Sequence, residues 1–248
     1  MCGRFAFFSA HEATVRLFGL PASTPAIAPR YNIAPTTQVP VVRVDHEGVR
    51  RLAMLHWGLV PHWAKEKSIG SRMINARAET LAEKPSFRTA LRKRRCLVLA
   101  SGYYEWQVTP SGKQPWFIRQ ASLEPFAMAG LWESWIERVG GTDSAPLESC
   151  TIVTTEASGP LAAIHHRVPA ILDHAECTAW LDPGQVDGAA NSAADIAVKG
   201  PGSVTSLGAL LHAPADGLMQ ALRISTRVNN VRNDGPELLT PIPDDTRH

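Results

Sequence analysis

Short strand-like segments, closed by turn residues and never alternating regularly with helices, set the strongest limit on how this chain can fold. Residues 38–44 and 49–57 read as strands joined by the turn Asp45-His46-Glu47-Gly48. Residues 96–108 read as a strand region, Thr109-Pro110-Ser111-Gly112 as a turn and 114–119 as a return strand, which predicts a hairpin carrying GYYEW. Further strands are expected at 126–135, 149–155, 168–172 and 222–225. The helices between them are few. Ser9-Ala10-His11-Glu12 has the form of a capping box and Gly19 is placed to end a helix over 10–18. Pro85 suits the first turn of a helix running to residue 95, with Phe87, Ala90, Leu91 and Arg94 alternating with an outward basic face of Arg88, Arg92 and Arg95. Short helices fit 159–164 and 175–181. The pattern predicts an α+β fold: a single domain with a mainly antiparallel β core flanked by short helices. The Ala-, Gly- and Ser-rich stretch 184–208 reads as a peripheral loop with one short helix at most, because apolar strand-like sequence resumes after it. The domain is assigned to 1–243 and a short tail to 244–248.

The chain has 248 residues, 44% hydrophobic and 19% charged, enough to bury a sizeable core. No apolar run approaches the roughly 18 residues of a membrane span and no leader resembles a signal peptide, so a cytoplasmic location and no membrane partner are expected. Cys2, Cys96, Cys150 and Cys177 include no CxxC pair, and His165-His166 lacks metal-ligand spacing, so neither a metal nor another cofactor is expected. The net charge of +2 is unevenly spread: from Arg72 to Arg95, eight basic residues stand against two acidic ones. Such a segment is either a solvated helix face or a patch able to hold phosphates.

Four places can carry chemistry. Removing Met1 from MCGRF would leave Cys2 with an α-amine and a thiol on neighbouring carbons, which titrate near about 7.7 to 8.0 and about 8.5 when unperturbed. Cys2 is otherwise a small core hydrophobe. Glu105, in Tyr103-Tyr104-Glu105-Trp106, becomes a proton donor or acceptor near neutrality if its side chain turns inward, and stays a solvated strand residue if it turns outward. Asn75 and Arg77 share one face of an extended segment, with Ile74 and Ala76 facing the core; the pair suits a sugar and a phosphate, or simply fixes a loop. His165 has the pKa range for proton transfer, or is structural. Trp57 is assigned to the core, whereas Trp63 is the better surface for stacking a nucleobase.

MCGRF, RYNIAP, HWGLVPHWAK, GSRMINARAET, RRCLVLASGYYEW, IHHRVPAIL and VNNVRNDGPELL follow one another from Cys2 to about Leu239. In that order they resemble the SRAP family, named for SOS response-associated peptidases and including the bacterial YedK-type abasic-site proteins. The resemblance implies a compact α+β domain with a barrel-like β core, acting on single-stranded DNA that contains abasic sites. It implies that Met1 is removed and that Cys2 bonds covalently to the open-chain aldehyde, the amine forming a Schiff base and the thiol closing a five-membered thiazolidine. It further implies that Asn75 orients the sugar or amine, Glu105 moves protons and His165 assists opening of the deoxyribose ring. Arg77 and Arg4 would hold flanking phosphates, with Trp63 as a further DNA contact, and a monomer suffices. Two positions depart from the family pattern: His166 and Ser101 stand where aspartates are commoner.

M-C-G also opens glutamine-dependent amidotransferases, in which the α-amine is the base for its own thiol. That reading needs a glycine-rich oxyanion segment and an arginine for the glutamine carboxylate; the early region has no Asn-Gly dipeptide and no R-G-P-D-like segment. An N-terminal cysteine peptidase that releases its own leader is a related alternative. A module that binds modified or single-stranded DNA without chemistry is a third, and it alone would keep its full function in Cys2→Ala.

Overall fold

The computed structural model describes residues 2–139, 142–143, 145–183 and 207–243. The tail 244–248 and nearly all of the expected loop at 184–208 lie outside the described residues. In chain order the strands are β1 (Phe5–Phe7), β2 (Arg30–Ile33), β3 (Gln38–Val44), β4 (Arg50–Trp57), β5 (Asn75–Arg77), β6 (Arg95–Ala100), β7 (Gly102–Thr109) and β8 (Gly112–Gln120). They continue as β9 (Phe126–Trp135), β10 (Arg138–Val139), β11 (Thr142–Asp143), β12 (Leu147–Glu156), β13 (Arg167–Pro169), β14 (Ile171–Leu172) and β15 (Met219–Arg223). The helices are α1 (His11–Phe18), α2 (Arg88–Lys93), α3 (Gly159–Ala162) and α4 (His174–Leu181).

Five strands close a ring. β4 pairs with β3, β3 with β6, β6 with β9, β9 with β12, and β12 returns to β4 through Ser149↔His56 and Cys150↔Trp57. All of these pairs are antiparallel except β12 with β4. Closure removes the open edges on which strands otherwise aggregate. A second, antiparallel sheet runs in the order β15-β8-β7-β1-β2. It packs on the barrel in part through the edge-to-face rings of Phe5 and Trp57, whose centroids are 5.1 Å apart. The α+β, barrel-like architecture expected from the sequence is therefore present.

Local differences have physical causes. The capping box at Ser9 does not form: the cap position is Ala10, and Ser9 Oγ instead shares a 2.8 Å hydrogen bond with Ser101 Oγ. Gly19 ends α1 in the left-handed conformation, as expected. The single strand region at 96–108 is two strands in different sheets, divided at Ser101. Arg95 is buried rather than on an outward basic face: its guanidinium donates to the carbonyls of Trp180, Leu91, Arg92 and Asp182, tying the end of α2 to α4. Arg94, grouped in the sequence with Phe87, Ala90 and Leu91 opposite that face, turns to the buried carboxylate of Glu133, at 2.8 Å. The basic segment thus supplies structural cations as well as the exposed Arg72, Arg77, Lys84, Arg88, Arg92 and Lys93.

β12 changes partners along its length. On one edge, β4 leaves after Trp57, and β5 takes over in parallel, Asn75–Arg77 opposite Ile152–Thr154. On the other, β9 covers Leu147–Ile152 and then diverges, so that β13 pairs with Thr154–Glu156 while β14 pairs with β9. The first exchange depends on two glycines in backbone contact. Gly58 has φ +134°, and a Cβ there would lie 2.6 Å from the carbonyl oxygen of Gly70; a Cβ on Gly70 would lie 2.5 Å from that of Gly58. Gly58→Ala is accordingly expected to lower stability by about 2 kcal/mol or more, since neither backbone can yield without moving β5. Urea denaturation compared with the unaltered protein measures the loss; an unchanged midpoint would show that the contact is not constraining.

Candidate active site

Where the second sheet meets the exchanged strands, four of the sequence-selected residues come together in two contacts. Cys2 precedes β1, whose Phe5 is paired with Tyr103 of β7, and its side chain is fully buried at the margin of the main core. Asn75 of β5 reaches across and donates from Nδ2 to the Cys2 carbonyl at 2.8 Å. Its Oδ1 is buried with no hydrogen-bond partner, leaving an acceptor beside the start of the chain. Ala76 is buried and Arg77 exposed, the alternation expected of this strand.

Glu105 of β7 faces inward and is only 5% exposed. His165, in the loop between α3 and β13, places Nε2 3.7 Å from Glu105 Oε1. The backbone N–H of Arg167 donates to His165 Nδ1 at 2.9 Å, which leaves that nitrogen a lone pair and puts the proton on Nε2, toward Glu105. The Arg167 carbonyl lies 3.2 Å from the same Nδ1, but an N–H can only donate, so the shorter contact sets the tautomer. The 3.7 Å separation would suit an ion pair, yet burial pushes the Glu105 carboxyl up and, as the largest effect, the His165 imidazole down. Each is driven toward its uncharged form, so a single proton can be held by either at little cost.

Burial is also the main reason that the Cys2 thiol is pushed well above its ordinary range, with the nearby Glu105 charge adding to it. The thiol rests protonated. His166, the departure beside His165, is exposed and stacks on it at 4.3 Å; proximity to His165 is the first cause of its lowered pKa. Ser101, the other departure, holds β1 by accepting from Phe8 N–H at 3.0 Å.

The remaining candidates stand differently. Trp57 is buried, its Nε1 donating to Ile74 O, whereas Trp63 is half exposed. None of the described contacts joins Trp63 to Cys2, Asn75, Glu105 or His165. Arg4 is part-buried and already committed: its Nη1 donates to Asn32 Oδ1 at 2.7 Å and to Val228 O at 3.0 Å. Asn32 in turn donates to the carbonyls of Val228, Asn230 and Asn233, while Asp234 accepts from the backbone N–H groups of Tyr31 and Asn32. That clasp joins the RYNIAP and VNNVRNDG segments, and it gives Arg4 a structural task. Sequence reasoning left Asn32, Glu79, Arg167 and Tyr103 unassigned; for Tyr103 the signal was its two-residue spacing from Glu105 on one strand.

The family profile described as SOS response associated peptidase (SRAP) matches residues 1–231. The chain belongs to the SRAP family. It is 39% identical over 242 residues to the abasic site processing protein YoqW of Bacillus subtilis, covering 96% of this chain and 99% of that one. It is 36% identical to the abasic site processing protein HMCES of Gallus gallus, covering 86% of this chain and 66% of that relative. A crystal structure of a protein from Bacteroides thetaiotaomicron shares the fold at a TM-score of 0.77 and 24% identity, covering 98% of this chain and all of that one. No helix among the described residues is long and apolar enough to cross a membrane.

A buried Arg167 fixes the loop that carries His165. Its guanidinium grips Glu79 through two bonds of 2.7 and 3.0 Å and also donates to Thr154 O. The Arg167 bond is the largest of the effects that hold the Glu79 carboxyl below its ordinary 4.5. A carboxyl depressed in the folded state stabilises the fold fully above about 4.5, and that contribution disappears as pH falls through the lowered value. Arg167→Ala should therefore lower stability at pH 7 and leave a shallower loss between pH 5 and pH 3; urea midpoints across that interval test it, and parallel curves for both proteins would refute the linkage.

Proposed function

We propose that this protein processes abasic sites by forming a covalent thiazolidine between Cys2, exposed as the N-terminal residue once Met1 is removed, and the ring-opened sugar aldehyde in single-stranded DNA. The observation that carries the reading is that Cys2 is held at its carbonyl by Asn75 in a family whose similar members are named abasic site processing proteins, with Glu105 close enough to perturb its thiol. Full burial of Cys2 favours a small, base-free sugar over a bulky peptide carbonyl as the group admitted.

The chemistry follows from the groups present. In the closed sugar, the C1′–O4′ bond breaks as the C1′ hydroxyl passes its proton to the Glu105 carboxylate and Glu105 returns it to O4′, with the His165 Nε2–H donating a hydrogen bond to O4′ as charge builds there, leaving an aldehyde. The Cys2 amine attacks that carbon; a C–N bond forms and the carbonyl oxygen takes a proton. Loss of this hydroxyl as water gives the C=N bond. Glu105 then accepts the thiol proton, sulfur attacks the same carbon, and the C=N electron pair returns to nitrogen, which takes the proton from Glu105. One water leaves overall. An internal cysteine, lacking the neighbouring amine, could form only a labile hemithioacetal. Asn75 Oδ1, buried without a partner, would accept from the new amine or from a sugar hydroxyl, and exposed Arg77 would meet a flanking phosphate. Trp63 offers a ring face to a neighbouring base.

Incubation of Met1-free protein with single-stranded DNA carrying one abasic site should give a heat-stable shifted band on a denaturing gel. Cys2→Ala, or one extra residue before Cys2, should abolish it. Absence of the band with the unaltered protein would overturn the proposal. A peptidase would instead cleave a peptide substrate in a Cys2-dependent way and leave the DNA unmodified.

Glu105 must be ionised to take a proton, and burial raises its carboxyl above the ordinary 4.5. The rate of adduct formation should thus fall with decreasing pH through a value above 4.5. Glu105→Gln should slow the reaction about 100-fold and remove that acid limb. An unchanged pH–rate profile in Glu105→Gln would assign the proton transfer elsewhere.

A further inference from the structure

Tyr103 is fully buried, and its hydroxyl has no hydrogen-bond partner. A phenylalanine would fill the same space without stranding a polar group, since a buried hydroxyl that makes no bond is a net cost to folding. The neighbouring Tyr104 shows how such a group is ordinarily satisfied: on the opposite face of β7, it donates to Tyr31 O at 2.6 Å. Tyr103 instead shares a face with Glu105, and its strand partner is Phe5, three residues after Cys2. It belongs to the same buried cluster as Cys2.

We propose that Tyr103 is a further residue of the covalent chemistry, its O–H held free in the resting chain to donate a hydrogen bond to the Cys2 sulfur as that atom becomes a thiolate. This inference rests on the thiazolidine reading given above. It supplies what that reading lacks, a hydrogen-bond donor for the charge that a buried thiol acquires before it attacks. As the thiol proton passes to Glu105, the phenol donates to sulfur; the C–S bond then forms, the C=N pair moves to nitrogen, which takes the proton from Glu105, and the phenol keeps its own proton throughout. Ring opening runs through the same thiolate in reverse. The phenol is suited to remain a donor: burial chiefly, and the Cys2 and Glu105 charges after it, push its own ionisation well above the ordinary range.

The test is Tyr103→Phe in Met1-free protein. Borohydride trapping of the imine should proceed at the unaltered rate, whereas closure to the borohydride-resistant thiazolidine should slow by about ten-fold, the size expected when one hydrogen bond to a charged atom is lost. The pH profile of closure should move to higher pH. A pH titration of the Cys2 β-carbon by NMR, in protein labelled with 13C-cysteine and without DNA, should show the same upward displacement of the thiol, against an unchanged arrangement of Glu105 and His165. The melting temperature should be equal or higher, because the variant removes an unsatisfied group. A lower melting temperature with unchanged closure rate, pH profile and thiol titration would make Tyr103 a packing residue and overturn the inference alone. Failure of the unaltered protein to form any adduct would overturn the thiazolidine reading and this step with it.

Discussion

The candidate site exists because β12 does not keep the same neighbours from end to end. A five-stranded ring drawn tight would leave no room at its margin for extra segments. Here β4 hands over to β5 on one edge, and β9 yields to β13 on the other, so two short strands are inserted beside one half of β12. β5 brings Asn75 and Arg77; β13 starts two residues after His165 and is anchored through Arg167 to Glu79. The Gly58–Gly70 contact permits the first exchange, and the Arg167–Glu79 pair fixes the second relative to it. The remaining two groups, Cys2 and Glu105, arrive from the second sheet. Neither sheet has the site alone.

Much of this was legible in the sequence, and the missing parts share a cause. Strands at 38–44 and 126–135 were readable because turn residues close them on both sides. The inward turn of Glu105 was left open by its sequence, since period-two alternation in Tyr103-Tyr104-Glu105-Trp106 places aromatic residues on both faces. Arg95 was misplaced for a related reason. Helical periodicity assigns a face, but it cannot anticipate that α4 ends with bare carbonyls that a buried guanidinium can satisfy. The Asn32 clasp joins residues about 200 positions apart, and no local pattern encodes it. Family resemblance supplied the membership of the site; local periodicity supplied only its strands.

Dryness is the second common thread. The same burial that raises the Cys2 thiol also raises the Glu105 carboxyl and lowers the His165 imidazole. All three are held near neutrality of charge, which suits transfer of a proton between groups that never need to separate full charges far. A solvated version of the same residues would place glutamate and histidine some two pKa units apart, and the exchange would run in one direction only.

That dryness also orders the proposed reaction. Desolvation disfavours an ammonium as it disfavours a thiolate, so it moves an N-terminal amine toward its neutral, nucleophilic form and a thiol toward its neutral, weakly nucleophilic one. The amine is therefore the competent first nucleophile, and the sulfur becomes competent only when a base and a donor are both in place. An imine formed first ties the carbon within reach of the sulfur, so the thiolate has only to exist briefly for the ring to close. A site that lowered the thiol pKa instead would favour direct sulfur attack and the reversible hemithioacetal. Burial of Cys2, which looks at first like an obstacle to reactivity, selects the order of bond formation that ends in a ring.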